Sequence, residues 1–152
     1  MGYTVNSIII NKEIDVLFKT INQIENWPQL HGYESVVLKE RETLCDNNER
    51  VIFEISADDN GEKECWVSQR IINYKNYTAR GVRLSPMYPF KYWILDIALK
   101  SEEEGTRMTW IQDFSMDPKT GHTDLEIEGY INEGSKKELE LFKTLIEKGV
   151  VA

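Results

Sequence analysis

The sequence predicts an α+β fold in which a seven-stranded curved antiparallel sheet wraps around a long C-terminal helix, with two short helices after strand 1. Three observations carry this. A strand pattern is followed at once by a short amphipathic helix, a long central stretch alternates with period two between turn clusters, and the last thirty or so residues switch to a helical period.

The first strand runs over about residues 3 to 10. Asn11 then stands where an N-cap belongs, with Glu13 and Asp15 in the first turn and Ile14, Leu17, Phe18 and Ile21 at i, i+3, i+4 and i+7. In IENWPQLHGY, Pro28 and Gly32 break regularity, so residues 23 to 32 read as a short second helix and a loop. From Tyr33 to Met116 breakers recur at DNNE (46 to 49), DDNGE (58 to 62), NYKN (73 to 76), SPMYP (85 to 89) and SEEEG (101 to 105), which predicts consecutive hairpins of about six strands. After Pro118 and Gly121, a stripe of Ile127, Ile131, Leu139, Phe142, Leu145 and Ile146 marks the long helix. Gly129 and Gly134 interrupt it, each at a cost of about 1 kcal/mol against alanine, so close packing or a missing side chain is expected to be of use there. Without repeats or linkers, 1–152 is expected to be one domain. A flat sheet of this size would leave much apolar surface in water, so it must curl over the helix and leave a concave gap suited to a ligand. This is a helix-grip arrangement.

The charge balance, Lys+Arg 18 against Asp+Glu 26 for a net charge of -8, argues against general binding to nucleic acid or to an anionic membrane. MGYTVNSIIINKEID lacks the basic start and apolar length of a signal peptide, and no stretch approaches a membrane span, so a cytoplasmic protein is expected. Asn6 occupies the position where N-myristoylation after Gly2 needs Ser or Thr. Cys45 and Cys65 have no metal-ligand spacing and are expected as free thiols. No metal-ligand cluster and no Gly-rich phosphate loop is present, so no cofactor is expected.

Alternation in CWVSQRI places Trp66, Ser68 and Arg70 on one face. An unpaired buried ion costs several kcal/mol, so an inward-facing Arg70 must serve a purpose. In TWIQDFSM the face of Trp110, Gln112, Phe114 and Met116 is too large and apolar for water, and VIFEISA adds Val51, Phe53, Ile55 and Ala57. Tyr33, Phe90 and Tyr92 supply aromatics near strand ends. Polar groups interleaved with these rings point to a ligand cavity rather than a dry core.

WVSQR (66 to 70), WIQDFSM (110 to 116), WPQLHGY (27 to 33) and YINEGS (130 to 135) together resemble, in order and over nearly the whole chain, the motifs of the aromatase/cyclases of type II polyketide synthases. The resemblance is to the tetracenomycin type, within the START-like, Bet v 1-like superfamily. It implies an enzyme that directs regiospecific intramolecular aldol cyclisation and dehydration of a poly-β-ketone held by an acyl carrier protein, among other synthase components. It implies roles in cyclisation for Arg70 and Ser68, with Trp27, Tyr33, Trp66, Arg83, Trp110, Gln112 and Asn132 as pocket or entrance residues; the chain's own pattern adds Tyr33 as a catalytic proton donor and His31, Phe53, Phe90, Tyr92 and Phe114 as substrate-binding residues. The chain departs from the pattern at His31, where an aromatic is expected, at Glu64 in place of a tryptophan, and in a slightly longer 85 to 93 segment. His31 is a candidate acid or base, but its loop position predicts a surface or entrance residue; His122 is expected as a cap or surface residue. Carrier proteins are typically acidic, so docking calls for a basic rim, for which Arg80, Arg83, Lys91, Lys119, Lys136 and Lys137 are candidates. A monomer or weak dimer is expected. The alternative reading is a non-catalytic START-like carrier of a hydrophobic small molecule such as a lipid or quinone, in which Arg70 grips a polar head group.

Overall fold

In the computed structural model, which describes residues 1–59 and 61–151, strand β1 (Gly2–Ile10) is followed by a tight turn in which the Lys12 N–H donates to the Ile10 carbonyl at 2.8 Å. That turn uses up residues 11 and 12, so helix α1 (Ile14–Ile21) is capped at Glu13 rather than at Asn11 as the sequence suggested. Asn11 instead donates its N–H to Glu147 Oε2 at 2.9 Å. The apolar stripe of α1 does what its spacing predicts, burying Leu17, Phe18 and Ile21. A single 3₁₀ turn (Ile24–Asn26) leads into the one-turn helix α2 (Trp27–His31), where Pro28 occupies the first turn and Gly32, at φ +75°, ends it.

Six strands follow: β2 (Ser35–Thr43), β3 (Asn48–Asp59), β4 (Glu62–Asn73), β5 (Thr78–Ser85), β6 (Phe90–Glu102) and β7 (Gly105–Met116). Each pairs antiparallel with its neighbour, and β1 closes on β7, giving the sheet order β1-β7-β6-β5-β4-β3-β2. Of the turn expected at 58 to 62, Asn60 lies outside the described residues; Gly61 donates its N–H to Asp58 Oδ1 at 2.9 Å. Strand β7 alternates strictly, with Thr106, Met108, Trp110, Gln112, Phe114 and Met116 buried. The edge strand β2 is almost wholly exposed and carries Lys39, Glu40, Arg41 and Glu42, a charged edge of the kind that discourages pairing with a second sheet.

Helix α3 (Asp124–Glu147) begins at Thr123, whose hydroxyl accepts from the Glu126 N–H, and is tied to β7 because Asp124 accepts from the Met116 N–H at 2.7 Å. It crosses the concave face with Ser135, Leu139, Phe142 and Ile146 buried. Of the two uses expected for Gly129 and Gly134, close packing is not found. Both face solvent, and a Cβ added at either would find nothing within 4 Å. The seven-stranded sheet gripping this helix is the helix-grip fold. Cys45 and Cys65 are exposed free thiols. No helix among the described residues is long and apolar enough to cross a membrane.

Candidate active site

Strand alternation and register build one wall of the site. On β4, Trp66, Ser68 and Arg70 point the same way, and their partners on β5 set the space beside them: Ser68 lies opposite Arg83, and Arg70 opposite Gly81. A side chain at position 81 would have only the Gln69 and Leu95 carbonyl oxygens for company, each at 3.9 Å, so the glycine leaves open volume next to Arg70. β3 contributes Phe53 and Ile55, β6 contributes Phe90, Trp93 and Leu95, and α2 with its following loop supplies Trp27, His31 and Tyr33. Together they enclose a cavity of about 170 Å³.

Arg70 is 5% exposed. Its guanidinium sits 4.3 Å over the Trp27 ring, and Nη1 donates to Asn22 Oδ1 at 3.1 Å and to the Ile21 carbonyl at 3.4 Å. Trp27 is itself held by its indole N–H on the same carbonyl, at 2.8 Å. No carboxylate among the described residues forms an ion pair with Arg70, and its Nε has no partner. Burial pulls the Arg70 pKa down to about 10, which still leaves it a cation at neutral pH. The Ser68 hydroxyl, also buried, has no partner among the described residues. Buried polar atoms are paired in the great majority of cases, so two orphans in one cavity wall mark a place prepared for a ligand's polar atoms.

Tyr33 is pushed well above the ordinary phenol range, first by burial and then by the charge of Glu138, so it stays a proton donor. Its ring stacks on His31 at 5.1 Å and meets Trp66 edge-on at 5.9 Å. Of the surface or entrance position that its loop suggested, His31 does not take the open surface; it lines the cavity. It ends α2 with a side chain only 9% exposed, stacked between Tyr33 and Trp110, and its Nδ1 lies 3.0 Å from Glu138 Oε2 on α3. Arg83 is half-buried over Trp66 and Phe90, and donates to the Pro86 and Tyr88 carbonyls at 2.8 and 3.0 Å.

No protein-family model matches the chain. A protein of Streptomyces cyaneus named "Putative polyketide cyclase" is 30% identical over 148 residues, covering 97% of this chain and 95% of its own. The chain belongs to the polyketide cyclase family. Among solved structures, the Zhui aromatase/cyclase of a Streptomyces superposes with a TM-score of 0.79 at 12% identity, over 97% of this chain and 94% of that one. The di-domain aromatase/cyclase BexL matches with a TM-score of 0.79 at 18% identity over 97% of this chain but 47% of its own, so this chain spans about half its length. At these identities the structural likeness speaks for the fold.

Five residues expected to bind substrate lie outside the lining of the cyclase's cavity. Tyr92 points to the opposite face and donates to Asp113 Oδ1 at 2.8 Å, because a bulge between Phe90 and Tyr92 shifts the alternation and turns Trp93 inward instead. Trp110 is covered by His31 and Phe142. Gln112 is locked between the Ser135 hydroxyl at 2.6 Å and the Trp93 indole N–H at 3.2 Å. Phe114 is fully buried against Phe90 at 6.0 Å, and Asn132 accepts from the Asn6 amide at 2.9 Å on the β1 side of α3. Trp93, Leu95, Asn22 and Glu138 escaped the sequence reading. Trp93 was legible as an aromatic of β6 once the bulge is known; Asn22 and Glu138 act through partners 48 and 107 residues away.

Proposed function

We propose that this cyclase closes a ring in a carrier-bound poly-β-ketone by intramolecular aldol condensation and dehydration, with Arg70 as the group that stabilises the developing oxyanion. The observation that supports it most is a buried guanidinium without a carboxylate, beside an unpartnered Ser68 hydroxyl, in an aromatic-walled cavity. Guanidinium keeps its proton, so Arg70 polarises a ketone and receives the alkoxide, an interaction strongest where water is excluded. Ser68 hydrogen-bonds a carbonyl of the chain, and Tyr33 donates to a departing hydroxyl. The aromatic walls hold one folded conformer among the many a poly-β-ketone adopts, and such positioning alone contributes several kcal/mol.

The cavity of about 170 Å³ limits what closes inside it. An apolar cavity of roughly 150 Å³ accepts benzene, so there is room for a single six-membered ring with the rest of the chain running outward past Arg83 and Phe90. The partner is an acyl carrier protein bearing that chain. Of the basic groups considered for docking, Arg80 is engaged by Asp96 in a two-point ion pair at 2.7 and 2.9 Å, and Lys136 pairs with Glu133 at 3.5 Å. Lys91 and Lys119 are better placed: Lys91 follows Phe90, and the turn carrying Lys119 is joined to the same end by the Asp117 N–H on the Pro89 carbonyl at 2.9 Å.

The test is product analysis by liquid chromatography and mass spectrometry after combining the protein with a minimal ketosynthase, chain-length factor and loaded carrier protein, beside Arg70→Leu. A single new aromatic product that the variant fails to make is the expected result. A product mixture that the protein leaves unchanged favours the alternative, a non-catalytic carrier of a hydrophobic molecule.

A further inference from the structure

Ring closure by this route needs a group that takes a proton from carbon and returns it to oxygen, and Arg70, Ser68 and Tyr33 do not supply one. The guanidiniums of Arg70 and Arg83 are donors only, the Ser68 hydroxyl has no base beside it, and burial keeps the Tyr33 phenol protonated. Among the described residues, the cavity lining contains no carboxylate. It contains one imidazole, that of His31, whose ring offers both a proton donor and an acceptor nitrogen.

We infer that His31, oriented by Glu138, is the general base and acid of this site. The inference rests on the cyclase reading above and assigns its proton transfers. Nδ1 of His31 meets Glu138 Oε2 at 3.0 Å, so a carboxylate there accepts the Nδ1 proton and leaves the lone pair on Nε2, and the residue lines the cavity. The ring cannot turn freely. Tyr33 and Trp110 lie on it with interplanar angles of 17° and 22°, and Trp27 and Phe142 meet it edge-on at 6.3 and 4.9 Å. Orientation and tautomer are therefore set by packing and by one carboxylate, the logic by which an acidic residue positions a catalytic imidazole.

The steps balance. Nε2 takes a proton from the methylene carbon between two ketones, and the C–H electron pair becomes the enolate. The enolate carbon attacks the distant ketone carbon, a C–C bond forms, and the carbonyl π pair moves to oxygen beside Arg70. The imidazolium gives its proton to that alkoxide. In dehydration Nε2 removes the remaining proton from the same carbon, the C–O bond breaks, and the hydroxyl leaves as water with a proton from Tyr33, which the imidazolium restores. Catalyst groups end as they began, and water is the one by-product.

The charged and titratable groups around His31 are Glu138 from α3, Tyr33 after α2, and Arg70 and Arg83 across the cavity from β4 and β5; Trp110 on β7 is neutral. The experiment is a quenched single-turnover assay with the loaded carrier protein, run across roughly pH 6 to 9, comparing wild type with His31→Gln, His31→Phe and Glu138→Gln. Binding of a substituted resorcinol to each protein is measured alongside. Both His31 variants are expected to form the aromatic product at least about 100-fold more slowly and to lose the pH dependence that wild type shows across this range. His31→Phe keeps the ring stack and controls for packing. Glu138→Gln, at a half-exposed position, keeps a hydrogen-bonding group but not the charge, and is expected to slow the reaction at least about 10-fold with resorcinol affinity unchanged. His31 variants within threefold of wild type at every pH, from a wild type that makes the aromatic product, overturn the His31 assignment alone. A wild type that makes no aromatic product overturns the cyclase reading with it.

Discussion

Arg70 and Arg83 stand on neighbouring strands and both lie over indole rings, at 4.3 and 4.9 Å, yet they are held in opposite ways. Arg83 directs its Nε and Nη2 at two loop carbonyls and keeps part of its surface in water, so it fastens the 86 to 89 loop to the sheet. Arg70 is almost fully enclosed, donates from Nη1 alone, and leaves Nε without a partner. Burial is the main influence lowering both pKa values, but Glu64 counters it for Arg83, whereas Arg70 has only the phenol of Tyr33. A charge whose hydrogen bonds are complete is part of the framework; one left incomplete inside a cavity is available to a ligand.

The sharpest test of that contrast is Arg70→Leu, which is expected to do two opposite things. Loss of the oxyanion partner should cut aromatic product formation by roughly 100-fold or more. Stability should rise, by about 1 to 3 kcal/mol, since replacing an underpaired buried ion with an apolar side chain removes its desolvation penalty. For a 152-residue chain this is a gain of several degrees in thermal midpoint. The sign with pH follows from the lowered pKa of Arg70. Below about 10 both folded and unfolded chains carry the proton and the penalty is complete; above it the folded guanidinium begins to release its proton first, so the stability gap between variant and wild type narrows. Thermal denaturation at two pH values reads this directly. A destabilised Arg70→Leu would mean that the guanidinium is a structural member like Arg83.

Next in size is Gly81→Leu. Arg70 has open volume beside it because its cross-strand partner has no side chain, whereas Ser68 faces the bulk of Arg83. A Cβ at position 81 would meet no atom closer than 3.9 Å, so the variant is expected to fold, with the new side chain occupying ligand space. Product yield should fall about 10-fold and binding of a one-ring phenol should weaken in parallel. Unchanged binding would place the ring elsewhere. Arg83→Gln should show the reverse balance: about 1 to 2 kcal/mol lost from stability with the two carbonyl hydrogen bonds, and only a few-fold change in product. Urea denaturation beside the product assay separates the two effects.

The same contrast shows what a sequence reveals. Period-two alternation over CWVSQRI placed Trp66, Ser68 and Arg70 together, and the turn clusters located all six central strands, because both signals are local. Facing direction could be read, but how far the cavity extends along that face could not. Trp110, Gln112 and Phe114 are inward as expected, yet Ser135 and Phe142 of α3 and His31 of α2 cover two of them, and that coverage depends on where the helices cross. A one-residue bulge exchanged Tyr92 for Trp93, a slip that alternation has no means of detecting. The Glu138 partner of His31 lies 107 residues away, and Gly129 and Gly134 proved to be on the solvent side of a helix whose rotation is set by the stripe from Leu139 onward.

The smallest effect expected concerns the indoles beneath the two arginines. Trp66 is half-buried under a guanidinium that already has two carbonyl partners, so Trp66→Leu removes a partly hydrated cation–π contact, worth about 0.5 to 1 kcal/mol, and one edge-on contact with Tyr33. Trp27→Leu removes the face under an enclosed guanidinium and also the indole N–H that fixes the Ile21 carbonyl, one of two acceptors of Arg70 among the described residues. It should therefore cost more stability than Trp66→Leu and also lower product formation, by displacing Arg70. Paired with Arg70→Leu and Arg83→Gln in double-mutant cycles, Trp27 should couple to Arg70 more strongly than Trp66 couples to Arg83. Equal coupling energies would show that enclosure adds nothing to the hold of an indole on its arginine, and the distinction between framework and ligand-directed charge would then rest on hydrogen bonds alone.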